Sequence, residues 1–242
     1  MAGAARGCEK NDQGEGACCK DKIIKSHEIT DSNVGYSVQR MSKQASNGPS
    51  LSDDSLDQMF RTARTFRRWR DDPIPNECLV ALYDLVKVGP TSSNSCPARF
   101  VFLTSPKAKE RLVPALSESN IDKVRSAPAC VIIAWDNEFY ERLPILAPHA
   151  DVRATFVGNP ELIFETAFRN SSLQGAYLIM AARALGLDCG PMSGFDAAKV
   201  NQEFFPDQKW SANFLCNLGY GDTQGLFPRA PRLGFDAACQ IL

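Results

Sequence analysis

Gly89-Pro-Thr-Ser-Ser-Asn-Ser-Cys-Pro-Ala-Arg-Phe100 is the stretch on which the reading of the chain turns. It places three hydroxyls and one carboxamide in four positions, Thr91 to Asn94, between two prolines. Hydroxyls and amides both donate and accept, which suits a ligand with polar edges. The prolines fix φ and remove N–H groups, so the loop is stiff as well as polar. Composition alone also fits an ordinary capped turn, because Ser, Asn and Pro dominate turns. The surrounding segments decide between the two.

Before the loop, Asn76 starts a helix with Leu79, Leu82, Tyr83 and Val86 on one apolar face, and Gly89-Pro90 stops it. After it, Arg99–Thr104 reads as a strand and Lys107–Leu116 as a helix. Asn120 and Lys123, three apart, share a face on a helical turn. Ala129-Cys-Val-Ile-Ile-Ala-Trp135 is a continuous apolar run, the pattern of a strand covered on both sides. Residues 136–159 show no clear period and read as a lid or binding loop.

Asn159-Pro160-Glu161 combines a capping amide, proline in the first turn and an acid at the positive end, so a long helix should begin here and stop at Gly186. Leu173, Ala176, Tyr177, Ile179, Met180, Ala181 and Ala184 spread around it, which predicts a buried helix, either central or at a subunit interface. Leu187–Met192 is short and apolar, Ser193-Gly194-Phe195 turns the chain, and Asn213–Tyr220 reads as the last core strand.

Upstream, Ser52 can cap a helix through Leu56, Met59 and Phe60. Arg61-Thr-Ala-Arg-Thr-Phe-Arg-Arg-Trp-Arg70 follows, with five arginines in ten residues. They suit a solvated face or a phosphate, whose oxygens guanidinium meets bidentately. Residues 1–50 are polar, with few aromatics and no apolar period, and read as a disordered extension carrying Cys8, Cys18 and Cys19.

The 242 residues carry a formal charge of -1, with 44% hydrophobic residues. That balance offers no electrostatic footprint for nucleic acid. No apolar run approaches the ~20 residues that cross a bilayer, and the N-terminus lacks the apolar stretch of a secretory signal. Nine cysteines without CxxC spacing read as reduced residues of a cytoplasmic protein, six of them (Cys78, Cys96, Cys130, Cys189, Cys216, Cys239) in packed segments. Two histidines, His27 and His149, give neither a zinc set nor a hydrolytic triad. GxGxxG and Gly-Lys-Ser/Thr motifs are absent, so any chemistry has to come from a bound cofactor, or there is none.

Five motifs in order resemble the FMN-dependent nitroreductase family. Ala63-Arg-Thr-Phe-Arg-Arg-Trp69 is similar to its Arg-Arg-Ser-x-Arg-x-Phe entry motif, and Pro90–Phe100 to its Pro-Ser-Ser-x-Asn-x-Gln-Pro-Trp-x-Phe loop. Asn120 and Lys123 resemble its Asn-x-x-Lys pair; Gly190-Pro-Met-Ser-Gly-Phe195 and Pro231-Arg-Leu233 resemble its two late flavin contacts. Ala63 and Ala230 stand where many members carry a basic residue, which shifts weight onto Arg64 and Arg232. Trp135-Asp-Asn-Glu-Phe-Tyr-Glu-Arg-Leu-Pro144, His149 and Glu165-Thr-Ala-Phe-Arg-Asn-Ser-Ser172 look like the malonic semialdehyde reductase branch, also described as 3-hydroxypropanoate dehydrogenase of pyrimidine utilisation.

The resemblance implies an α+β fold, a mostly antiparallel sheet flanked by helices, over residues 51–242, and a homodimer with FMN at its interface. It implies that Arg64 and Arg232 hold the phosphate, and that Thr65, Ser92, Asn94 and Asn120 bond the ribityl chain and ring edge. Arg67 or Lys123 would lie near N1 and O2, and Pro191, Met192, Ser193 and Gly194 against the ring. No side chain is implied as catalytic; NADPH or NADH supplies hydride through the flavin to an aldehyde. The alternatives are a broad nitro/quinone reductase or a flavin-binding protein without turnover.

Overall fold

The computed structural model describes residues 50–242. The extension at residues 1–49, with Cys8, Cys18, Cys19 and His27, lies outside them. Four antiparallel strands, β1 (Ala98–Leu103), β2 (Ala129–Asp136), β3 (Asp188–Met192) and β4 (Trp210–Gly219), form one sheet in the order β1-β2-β4-β3. The helices are α1 (Asp53–Leu56), α2 (Asn76–Val86), α3 (Pro106–Leu112), α4 (Glu118–Ser126), α5 (Leu143–Leu146), α6 (Arg153–Phe156), α7 (Pro160–Ala184), α8 (Ala197–Phe204) and α9 (Phe235–Ala238). The expected α+β class is the one observed.

The apolar run in β2 is explained by what covers it. Successive side chains point to opposite faces. Val131 and Ile133 pack with Leu79, Leu82 and Val86 of α2 and Leu178 and Ala182 of α7. Cys130, Ile132 and Ala134 pack with Leu112 of α3, Val124 of α4 and Val200 of α8. An antiparallel strand therefore reads as continuously apolar here because helices cover both faces. Tyr83, placed by its spacing on the buried face of α2, is 47% exposed. It lies edge-on to Phe100 of the outermost strand instead.

Helix α7 begins at the expected cap: Asn159 Oδ1 accepts from the Leu162 N–H at 3.1 Å. It ends before Gly186, whose φ of 78° is the left-handed conformation that terminates helices. In the single chain Phe164, Phe168 and Leu173 are exposed, so this face of α7 is not central core, and of the two readings the subunit interface is the one left open. Its inner face is partly polar. Asn170 Oδ1 accepts from Ser92 N–H at 2.8 Å, and Gln174 Oε1 from Ala98 N–H at 2.9 Å. Buried amides on a helix thus complete the backbone pairing of the polar loop and the start of β1. Asn213 is the extra residue of a bulge in β4, and its Nδ2 donates to Ser171 Oγ and Ser172 Oγ at 2.8 and 2.9 Å. That bulge breaks the alternation, so β4 begins three residues earlier than its apolar pattern suggests.

Residues 136–159 are not structureless. A 3₁₀ turn (Phe139–Arg142), α5 and α6 close a small core of Phe139, Leu143 and Phe156 against Ala167 of α7. Helix α8 lacks an apolar stripe long enough to read, but Asp196 Oδ1 caps it through the Ala198 and Lys199 N–H groups. Lys109 is buried and donates to the Arg125 and Ala127 carbonyls at 2.7 and 2.6 Å, where α4 ends and positive charge is favoured.

Gly175 is required where α7 crosses β4: a Cβ there would lie 2.4 Å from Phe214 Cζ. Gly175→Val should overpack this crossing and cost about 1–3 kcal/mol. The measurement is urea unfolding, with a lower midpoint and an unchanged slope expected.

Candidate functional site

The arginine-rich segment runs along the β3–β4 edge. Phe66 N–H donates to the Cys189 carbonyl at 3.0 Å, and Arg70 N–H to the Tyr220 carbonyl at 2.8 Å. Two glycines admit this close approach. A Cβ at Gly190 would lie 2.7 Å from the Phe66 carbonyl, and one at Gly221 would enter the Phe66 ring. Thr65 and Arg67 are thereby fixed beside the first half of β3.

Helix α4 brings the Asn-Lys pair to the same place. Lys123 Nζ donates to Asn120 Oδ1 at 2.8 Å, and Asn120 Nδ2 donates to the Gly194 carbonyl at 3.0 Å. Gly194 must be glycine, because a Cβ would lie 2.7 Å from Asn120 Nδ2. Asn217 Nδ2 donates to the Lys123 carbonyl at 2.9 Å, while its buried Oδ1 has no partner. Burial lowers the Lys123 pKa from the usual lysine range, and the nearby Arg67 charge lowers it further. No acid pairs with Arg64, Arg67 or Lys123 among the described residues. Three cations without counter-ions form an anion-receptive cradle, and the orphaned Asn217 carbonyl beside it is an acceptor open to a ligand's donor.

The C-terminal segment covers one side of it. Arg64 Nη2 donates to the Phe227 carbonyl, and the Arg67 guanidinium sits 4.7 Å from the Phe227 ring centroid. Arg229 Nη2 donates to the Arg61 and Ala63 carbonyls at 2.8 and 3.0 Å. Sequence reading singled out Arg232, yet Arg232 is exposed and donates only to the Ala230 and Pro231 carbonyls. Arg229 is the residue it passed over, although it stands in the same Arg-Ala-Pro-Arg run. Pro191 and Met192 end β3, and Ser193 and Gly194 form the turn that meets Ser117, whose N–H donates to the Gly194 carbonyl at 3.0 Å.

Ser92 and Asn94 stand elsewhere. Asn94 Nδ2 donates to the Leu146 carbonyl at 2.8 Å, and Ser92 is held by Asn170 of α7. Ala98, the start of β1, pairs with Trp135; Leu103 pairs with Cys130, which pairs with Asn217 beside Gly190. The cradle row is thus five residues along the sheet from the loop row, about 17 Å at ~3.4 Å per residue. The two groups also lie on opposite faces, one with α7 and the other with α4. A single chain does not gather all the expected ligand contacts in one place. Ser93, Asn94 and Cys96 take φ values of 52°, 51° and 40°, and backbone held in this region by its surroundings marks functional loops.

The cysteines offer no nucleophile in the core: burial pushes the Cys130 thiol up to about 12, and Cys216, hydrogen-bonded to Cys189, is raised as well. Cys96 is half-buried and Cys239 exposed, which corrects the expectation that all six are core residues. Among the described residues no group of His, Cys, Asp and Glu could hold a metal, and no helix is long and apolar enough to cross a membrane.

The sheet is covered by helices on both faces and carries an unpaired basic cradle at one end, which suits an anionic ligand. Residues 60–220 match the model of the Nitroreductase family, and the chain belongs to that family. It is 58% identical over 192 residues to a protein of Rhodopseudomonas palustris, covering 79% of this chain and 98% of that one. It is 57% identical over 194 residues to one of Ralstonia nicotianae, covering 80% and 100%. Both carry the provisional name NADH dehydrogenase/NAD(P)H nitroreductase. Among solved structures, a nitroreductase of Exiguobacterium sibiricum in complex with FMN superposes with a TM-score of 0.67 at 18% identity, covering 80% of this chain and 99% of that one. An NAD(P)H:FMN oxidoreductase of Staphylococcus epidermidis superposes with a TM-score of 0.69 at 18% identity, covering 80% and 98%.

Arg67→Met should raise the Lys123 pKa without restoring its ordinary value, because burial, the larger cause, remains. Titration of 15N-labelled lysine side chains by NMR reads this directly. An unmoved Lys123 would separate the two residues.

Proposed function

We propose that the chain is an FMN-dependent NAD(P)H oxidoreductase that reduces malonic semialdehyde to 3-hydroxypropanoate. The observation that carries the cofactor assignment is the cradle of Arg64, Arg67 and Lys123, which lacks any acidic partner among the described residues. A flavin mononucleotide brings the complementary groups, a phosphate and a polar ring edge. When bound, FMN supplies reversible hydride transfer between NAD(P)H and the acceptor.

Each residue then has a defined task. Arg64 neutralises the phosphate, and Arg232, held only by carbonyls of its own segment, is the second phosphate contact. Thr65 and Asn120 bond the polar chain and ring edge. Arg67 and Lys123 set a positive potential where negative charge grows on reduction, and a preorganised cation in a dry site is worth about 3 kcal/mol by analogy with lost oxyanion donors. Pro191, Met192, Ser193 and Gly194 form the wall against the ring.

Ser92 and Asn94, on the far side of the sheet, reach the group from a second copy of the chain. The exposed Phe164, Phe168 and Leu173 on α7 support such a homodimer, because a monomer leaves them in water. The aldehyde carbon gains hydride, its oxygen takes a proton from solvent, and NAD(P)H is oxidised. The substrate rests on the resemblance of Trp135–Pro144 and Glu165–Ser172 to the malonic semialdehyde reductase branch. The names of the two relatives favour a second reading, a broad NAD(P)H nitroreductase.

FMN-loaded protein given NADPH or NADH and malonic semialdehyde should form one 3-hydroxypropanoate per reduced nicotinamide consumed. Turnover of nitroaromatics or quinones with none of the alcohol would leave the second reading in its place. Independently, Arg64→Ala should weaken FMN binding by about 1.5–3 kcal/mol, the scale of a charged hydrogen bond. Flavin fluorescence titration measures it, and unchanged affinity would remove Arg64 from the cradle.

A further inference from the structure

A groove of about 510 Å³ runs beside the edge strand β1, lined by Tyr83, Cys96, Arg99, Arg142, Leu146 and Trp210 among others. Its two arginines differ. Arg99 is committed: Nη2 donates to Asp136 Oδ2 at 2.6 Å and Nη1 to the Cys96 and Ala98 carbonyls. The Arg142 side chain is exposed and makes no hydrogen bond or ion pair among the described residues. Two acids close in sequence are engaged elsewhere, Asp136 with Arg99 and Glu141 with Arg153 through two bonds of 2.7 and 2.8 Å, and Glu138, four residues earlier, forms no ion pair with it. The groove therefore carries one uncompensated positive charge between aromatic walls.

We propose that this groove binds the carboxylate end of the acceptor substrate, with Arg142 as the specificity-determining contact. A guanidinium meets a carboxylate in bidentate geometry, and Arg142, open to solvent, has no existing ion pair to give up. One free cation matches a monoanion; a phosphate dianion would leave charge unmatched. The groove adjoins the loop that carries Asn94. Cys96 Sγ lies 3.5 Å from Asn94 Oδ1, and Asn94 is bonded to the Leu146 carbonyl at the groove wall. The assignment rests on the reading that Asn94 borders the flavin, so an acid held at Arg142 has its reducible end toward the reaction centre. It extends that reading from one aldehyde acid to a class: small carboxylates bearing a reducible carbonyl or nitro group.

The test compares 4-nitrobenzoate with 4-nitrobenzamide, acceptors of nearly equal size that differ by one charge, using FMN-loaded protein and saturating NADPH. The KM for the carboxylate should be lower by about tenfold, the scale of one charged hydrogen bond. Arg142→Gln should bring the ratio of the two KM values to about one, and Arg142→Lys should restore part of it. Calorimetry with benzoate, which is not reduced, should show binding to the wild-type protein and loss of it in Arg142→Gln. Equal KM values in the wild type, or a preference that survives Arg142→Gln, would overturn the assignment. A protein that selects nitrobenzoate through Arg142 but leaves malonic semialdehyde unreduced would retain the groove and lose the substrate. Reduction of malonic semialdehyde with an unchanged KM in Arg142→Gln would do the reverse.

Discussion

Strand β2 has to be covered on both faces, and most of the architecture follows from that requirement. Val131 and Ile133 need α2 and α7; Cys130, Ile132 and Ala134 need α3, α4 and α8. Exposing any of these side chains would forfeit roughly 1.5–3 kcal/mol each for the larger ones. The sheet therefore cannot present an open face to a ligand. The polar segments proposed to meet a ligand lie at its ends, where loops and helix termini emerge, and the two sets belong to different faces.

Helix α7 turns that division into a fixed geometry. Its buried amides Asn170 and Gln174 take the N–H groups of Ser92 and Ala98, and its hydroxyls at Ser171 and Ser172 take the bulge residue Asn213. Each of these polar groups would cost about 1–3 kcal/mol if buried unpaired, so the loop conformation, the start of β1 and the bulge in β4 are set together. The opposite side of the same helix leaves Phe164 and Phe168 exposed and stacked, with ring centroids 5.7 Å apart. One helix thus both holds the polar loop and presents an apolar surface.

How far the chain could be read in advance depended on how local each signal was. The cap at Asn159, the stop at Gly186 and the apolar run of β2 are determined within a few residues, and all three were legible. The spacing of Asn120 and Lys123 correctly put them on one helical face, where the observed 2.8 Å bond joins them. Tyr83 was misplaced because period alone does not distinguish the core from a neighbouring edge strand. The small core of Phe139, Leu143 and Phe156 was missed because each sits on an element of only four residues, too short to show a period, and they come together only against Ala167 of α7. Arg229 was overlooked because its carbonyl partners lie more than a hundred and sixty residues upstream.

By itself, the sequence determined the longer helices and the apolar strands, and its motifs pointed to an α+β fold and to the polar and basic residues available for a phosphorylated, polar-edged ligand. Only the tertiary structure decided that Ser92 and Asn94 stand apart from Arg67 and Lys123, that Arg229 rather than Arg232 ties the C-terminal segment down, and that Arg142 is left without a partner. The physical reason is the range of the forces. Capping, turn chemistry and hydrophobic period act over a few residues and are written into them directly. Strand register, face and counter-ion pairing join residues far apart in the chain, and they exist only once the sheet has closed.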